Sequence, residues 1–302
     1  MNTREILMAE SWQQLKIKLN KEQLPEMEAF LLENQALSIT YQDAYDEPIY
    51  EPTPDSSQIW ETLILTALFF AEANMQPIQY ALEEKFGLLP NHYSLEEVKE
   101  ENWVEKTQNQ YQAQCFGENL WVYPAWNKSP LPEAAATVIL NPGLAFGTGT
   151  HPTTAMCLRW LAKNAPKDKL IVDYGCGSGI LALAALCLGA QQAWGVDYDP
   201  QALIASRNNA ELNPKLQTYF ETVLPEDLPA LKADLILANI LAKPLVALEK
   251  KFVELSKPGT QLVLSGILKE QAEMVHQAYA PHFELLKLEQ EEDWVCLSFL
   301  KF

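Results

Sequence analysis

The sequence predicts an α/β protein of two domains: a small α+β domain at the front and, behind it, a doubly wound and mostly parallel sheet with helices on both faces. Three observations carry this reading. From Lys169 onward, short apolar segments alternate with helical patterns, the grammar of parallel strands joined by right-handed crossovers. Two motifs, "VDYGCGSG" (residues 172–179) and "GVDYDP" (195–200), close the first two of those segments, where the sites of open sheets form. Before residue 95 the pattern differs, with half-buried alternating strands set among two helices.

In chain order, "QLKIKLN" alternates apolar and polar residues at Leu15, Ile17 and Leu19 and predicts a strand. "KEQLPEMEAFLLENQ" predicts a helix and "ALSITYQ" a second strand. Residues 45–57, rich in proline and acids, form a loop. "TLILTALFF" is a third strand, and a helix follows around residues 75–86. This order resembles a split βαβ, or ferredoxin-like, domain spanning residues 1–95, a shape that often binds a partner. The polar stretch 96–114 is expected to be a linker, partly helical at "SLEEVKEENWVEK". The second domain, 115–302, runs through "KLIVDYG", helix "GILALAALCLGA", "AWGVDYD", helix "PQALIASRNNAELN", "TYFETVL", "DLILANIL", helix "PLVALEKKFVEL", "QLVLSGI" and helix "KEQAEMVHQAYA". Its closing pair, "FELLKLEQ" and "WVCLSFL", has no helix between its members, so the last strand must be antiparallel.

Composition narrows the function. No stretch reaches the roughly 18 apolar residues that cross a bilayer, and the front lacks the features of a signal peptide, so a cytoplasmic protein is expected. Five cysteines without a C-x-x-C pair suggest free thiols, mostly buried. The net charge of −18 is uneven, with 22 acids against 8 bases before Asn141. Such a field repels nucleic acid phosphate and attracts a basic partner.

The chemistry lies in four stretches. "NPGLAFGTGTHPTT" (141–154) has the glycines of a phosphate loop but not its lysine, since Thr150 and His151 follow Gly149. In "VDYGCGSG" the glycines at 175, 177 and 179 allow close approach to a ligand, while Asp173, two residues before the first, repels phosphate and suits a cationic group. S-adenosylmethionine, with its sulfonium and amino group, is such a ligand. Asp197, 22 residues past Gly175, stands where an acid accepts both hydroxyls of a ribose. Asp199 competes for that role, and Asp197 is preferred. Asn239 in "LANIL" is a polar residue at an apolar strand end, which points to a ligand or substrate contact. His151, with no acid beside it in sequence, fits a hydrogen-bonded loop anchor better than a base or metal ligand. No Ser-His-Asp or Cys-His grouping stands out.

Taken together, "NPGLAFGTGTHPTTAMCLRWL", "VDYGCGSGILALAALCLGA", "GVDYDPQAL" and "LANILAKPL" resemble the ribosomal protein L-eleven methyltransferases of bacteria, and the likeness covers essentially the whole chain, including "LSITYQDAYDEP". The resemblance implies a class I methyltransferase, Rossmann-like catalytic domain behind a ferredoxin-like substrate-recognition domain. It implies methyl transfer from S-adenosylmethionine to lysine side chains and the terminal α-amine of a basic ribosomal protein. A monomer that holds no metal is expected, and hydropathy and acidity point away from membrane and direct nucleic-acid binding. Carried over by motif, the cofactor contacts fall on Thr154, Gly175, Asp197 and Asn239. Asn239 would also orient the accepting amine, with no general base, and Phe146 in the preceding loop can cover the ligand. A methyltransferase of RNA or small molecules, and a non-catalytic binding module, are the competing readings.

Overall fold

The computed structural model describes residues 11–45, 59–98, 112–127, 129–130, 135–141 and 149–302. The chain divides into two compact units, Met1–Trp103 and Val104–Phe302.

In the first unit, strand β1 (Trp12–Asn20), helix α1 (Leu24–Glu33), strands β2 (Ser38–Asp43) and β3 (Thr62–Phe70), helix α2 (Gln76–Glu84) and strand β4 (Tyr93–Val98) follow one another. The sheet order is β2-β3-β1-β4, antiparallel throughout. Leu15, Ile17 and Leu19 of β1 and Leu63, Leu65 and Ala67 of β3 all face one side, where they bury against Met27 and Leu31 of α1 and Ile78 and Leu82 of α2. Each such aliphatic side chain contributes about 1.5–3 kcal/mol, so this single apolar face holds the unit together. The last strand corrects the expectation of helix from residue 94. Tyr93 and Leu95 pair with Ile17 and Leu15 and pack on the core, while Ser94 and Glu96 stay exposed. That period of two outweighs the helix preference of the glutamates. With β4, which ends at Val98, the βαββαβ order of a ferredoxin-like domain is complete. Residues 99–111 of the expected linker lie outside the described residues, and Gln114 already belongs to a strand.

The second unit opens with a three-stranded sheet that the sequence reading did not anticipate: β5 (Gln114–Phe116), β6 (Leu120–Pro124) and β7 (Ala136–Leu140), with β6 and β7 parallel. The outer edge of β7 meets side chains instead of a strand. The Asn213 carboxamide accepts from Ile139 N–H at 2.9 Å and donates to Ile139 C=O at 2.7 Å, and the Cys187 thiol donates to Thr137 C=O at 3.3 Å.

Helix α3 (Pro152–Lys163) leads into the main body: β8 (Leu170–Tyr174), α4 (Ile180–Cys187), β9 (Gln192–Val196), α5 (Pro200–Glu211), a short α6 (Pro214–Gln217), β10 (Phe220–Val223), β11 (Ala233–Asn239), α7 (Ala242–Ala247), α8 (Glu249–Leu255), β12 (Ser256–Leu268), α9 (Ala272–Tyr279), β13 (Phe283–Glu291) and β14 (Trp294–Lys301). The seven strands lie in the order β10-β9-β8-β11-β12-β14-β13. The first five are parallel; β14 runs antiparallel to β12, and β13 antiparallel to β14, as the closing pair required. Alternate residues feed two cores. Ile171, Leu235 and Val263 pack with Leu158 and Leu161 of α3 and Leu181 of α4, whereas Val172, Ile236 and Leu262 pack with Phe252 of α8 and Val275 and Tyr279 of α9. The single helix expected over 244–255 is two. The buried Tyr279 hydroxyl donates to Leu245 C=O at 2.7 Å, the acceptor that an unbroken helix would offer to residue 249. Among the described residues no helix is long and apolar enough to cross a membrane.

Candidate functional site

The parallel strands β8, β9 and β11 end at the same edge of the sheet, and there a cleft of about 1270 Å³ opens. Thr154, Gly175, Asp197 and Asn239, the four residues expected to bind a ligand, all line it.

Its floor is the turn after β8. Gly175 has φ +79°, and a Cβ there would overlap Ile240 Cγ2, so only glycine fits. The N–H groups of Gly175 and Cys176 both donate to Val196 C=O, at 2.7 and 3.0 Å, folding the turn against β9. Ile240 is held from its other side by Gly266, where a Cβ would stand 2.5 Å from the Ile240 carbonyl oxygen. A glycine inside the apolar strand "LSGI" was the available signal for this close approach.

Asp197 follows β9 directly. Its Oδ2 accepts from Gly177 N–H and its Oδ1 from Asp199 N–H, both at 3.0 Å. Asp199 is exposed and caps α5, accepting from Gln201 N–H at 2.9 Å. Because β9 ends at Val196, both acids sit in the turn and both line the cleft; what distinguishes Asp199 is that its side chain caps α5, whereas that of Asp197 holds the glycine turn.

Asp173, noted in the sequence only as a charge near the loop, is a buried wall of the cleft. Its Oδ2 accepts from Ala182 N–H at 3.0 Å, while Oδ1 is buried with no hydrogen-bond partner. Burial pushes its carboxyl up to about 7; the Ala182 N–H pulls it down, and the Asp197 charge adds to the rise. An unpaired buried carboxylate of this kind attracts a cation.

The opposite wall comes from α3 and the end of β11. His151 caps α3: its Nδ1 lies 2.8 Å from Thr153 Oγ1 and accepts from Thr153 N–H at 3.4 Å, and its ring stands edge-on to Trp294 at 5.1 Å. Burial lowers its pKa, against the pull of Glu292, which favours the neutral ring that a cap requires. The histidine is a loop anchor by geometry. Ser265 Oγ donates to Thr153 C=O at 3.2 Å and fixes the same turn from β12. So placed, the buried Thr154 accepts from Asn239 Nδ2 at 3.0 Å. That bond leaves Asn239 Oδ1 buried and without a partner. Residues 142–148, Phe146 among them, lie outside the described residues.

The strand order, the glycine turn after the central strand and the acid after its neighbour define the class I methyltransferase fold, with its cleft at the carboxyl edge of the sheet. Residues 11–301 match the protein family described as Ribosomal protein L11 methyltransferase. Proteins of that name from Pseudomonas paraeruginosa and Pasteurella multocida are 45% and 46% identical to this chain over 95% and 94% of its length, and 97% of theirs. The solved structure of a ribosomal protein L11 methylase from Lactobacillus delbrueckii subsp. bulgaricus superposes with a TM-score of 0.57 at 30% identity, covering 63% of this chain and 99% of that one. The chain belongs to the ribosomal protein L11 methyltransferase family.

Proposed function

We propose that this chain transfers methyl groups from S-adenosylmethionine to lysine side chains and the N-terminal α-amine of ribosomal protein L11, with Thr154, Gly175, Asp197 and Asn239 forming the cofactor site. The observation that carries the reading is the unpaired Asn239 Oδ1, held by Thr154 at the edge where the buried carboxylate of Asp173 also keeps an open oxygen.

The residues present fit the cofactor. The open oxygen of Asp173 answers an ammonium or sulfonium charge, Asp197 is placed for ribose hydroxyls, and Gly175 leaves the backbone bare. When bound, the cofactor supplies an electrophilic methyl group and its own leaving group. The remaining work of the protein is alignment and drying. An ordinary lysine near pKa 10.4 is neutral in only about one molecule in a few thousand at pH 7. Ile240, Leu241, Pro244 and Leu248 give the cleft an apolar side beside Asn239, which disfavours the ammonium form. The amide oxygen of Asn239 accepts one N–H of the amine and leaves its lone pair free. A carboxylate in that place would hold the proton the reaction must lose. Asn239, Ile240, Leu241 and Ala242 offer no proline pair or aromatic ring to clamp a planar amide or base, which favours a tetrahedral amine.

The first unit is assigned the selection of the protein substrate, on its separate core and on the acidity concentrated before Asn141. The enzyme is assigned to the cytoplasm and to work as a monomer on a basic protein, without nucleic acid or membrane.

Incubation of ribosomal large-subunit components with labelled S-adenosylmethionine, followed by acid hydrolysis and amino-acid analysis, tests the reaction. Label is expected in methylated lysine and at the α-amine. Methylglutamine, or label in RNA with none in lysine, overturns the reading. A fragment beginning near Gln114 should still bind cofactor yet methylate the ribosomal protein poorly; equal activity at low substrate concentration would move recognition into the catalytic unit.

A further inference from the structure

Two asparagines, Asn209 near the end of helix α5 and Asn213 just beyond it at the start of α6, are 2% and 7% exposed. A carboxamide is buried only where its hydrogen bonds are met, and these two meet them in different places. Asn213 serves the edge of β7 and donates also to the Asn209 backbone carbonyl at 2.7 Å. Asn209 reaches two loops at once. Its Oδ1 accepts from the N–H of Asn141 at 2.8 Å, where the chain leaves β7, and its Nδ2 donates to Ser178 C=O at 2.9 Å, inside the glycine turn. Both Asn141 and the glycine turn border the cleft, as does Asn209.

We infer that Asn209 is a positioning residue for cofactor binding: one carboxamide spans the two loops and sets the distance between them. The turn after β8 is tied to β9 through Gly175, Cys176 and Gly177, all on its near side. Its far side, at Ser178, is tied to the loop opposite by Asn209. The direction of the two bonds is also fixed. One end must accept and the other must donate, which a carboxamide does and a carboxylate, an acceptor only, does not. The inference rests on the reading of this cleft as the S-adenosylmethionine site.

The test uses the full chain and three variants, with S-adenosylmethionine affinity by calorimetry, steady-state kinetics and thermal melting. Asn209→Ala should raise the Kd and the cofactor KM about tenfold, the scale of one lost hydrogen bond, while kcat at saturating cofactor stays within about threefold. Asn209→Asp keeps the acceptor for Asn141 but turns an oxygen toward Ser178 C=O, and should weaken cofactor binding by at least as much. Asn213→Ala should lower the melting temperature comparably and leave the Kd within about twofold of the parent. A folded Asn209→Ala with parental Kd overturns the inference, as does an equal loss of affinity in Asn213→Ala. Should Asn209→Ala not fold, Asn209→Asp decides by the same criterion. A parent chain that binds no S-adenosylmethionine overturns the site reading itself; a parent that binds, with Asn209 variants that bind equally well, overturns only this inference.

Discussion

Along β1, Lys16 and Lys18 point away from the helices and remain in contact with water, whereas along β8 Asp173 lies in a sheet with a core on either face. The first unit has one dry side, so its polar residues have somewhere to go. Lys16 pairs with Glu96 at 2.8 Å, each about half exposed or less, and Thr40 and Gln42 continue the same wet face. Thr66 Oγ1, on that face but buried and unpaired, is a neutral hydroxyl. The second unit has no wet face on its central strands. A polar side chain there must find its partner inside the protein, as Ser265 does, and Asp173 and Asn239, near their strand ends, each keep one oxygen unmet. The same residue chemistry is interchangeable on one sheet and specific on the other, because its alternative partner, water, is present on one and excluded on the other.

Four changes probe this contrast. The largest effect is expected at Gly175, where Gly175→Ala adds a strained φ and an overlap with Ile240; stability should fall by about 2–4 kcal/mol in urea unfolding and cofactor binding should be lost. A parental midpoint would show that the turn can yield. Next, Asp197→Ala should leave the fold intact and weaken S-adenosylmethionine by about 1.5–3 kcal/mol, the range for hydrogen bonds to a charged group. Calorimetry with unchanged affinity would falsify the assignment of this acid.

The third concerns protons. Asp173 is raised in the folded chain to about 7, above the ordinary carboxylate value near 4, so the native state holds a proton that the unfolded chain has released. Its contribution to stability is therefore full below about pH 4, declines as pH rises toward 7, and is flat above. A cationic ligand prefers the ionised acid, so cofactor affinity should rise between pH 6 and 8, by up to about tenfold per unit below the titration. Asp173→Asn should flatten both profiles, and a profile that persists in this variant assigns the titration elsewhere. Smallest of all, Glu96→Gln on the wet face of the first sheet should shift stability by no more than about 1 kcal/mol. A larger loss, seen in the same urea series, would mean that this face is not the solvated surface described.

The contrast also explains what could be read in advance. The parallel strands were legible as apolar runs, and the glycine turn, Asp197 and Asn239 stood out because each interrupts such a run. Strand β4 was obscured by Glu96, which suits a helix as well as a wet face, and by Glu97, an exposed acid on the same side as Leu95. Strands β5 to β7 are three to five residues long, too short for a period to show. Asn209 and Asn213 looked like ordinary polar positions of an amphipathic helix, since nothing local tells that their neighbours are backbone groups 68 and 74 residues away in sequence. Asp173 reads as a loop charge until both oxygens are followed to their surroundings.

The outer edge of β7 has a consequence for the molecule in crowded solution. A bare strand edge is a template on which another chain can build. Here the Thr137 carbonyl, both backbone groups of Ile139 and the Asn141 N–H are already engaged, by Cys187, Asn213 and Asn209. Residues 137, 139 and 141 are the ones a further parallel strand would address, so three side chains stand in for that strand and leave no row of open groups for it. The helices that wall the cleft thereby also act against aggregation, closing the β7 edge of the small sheet to strand addition without lengthening it.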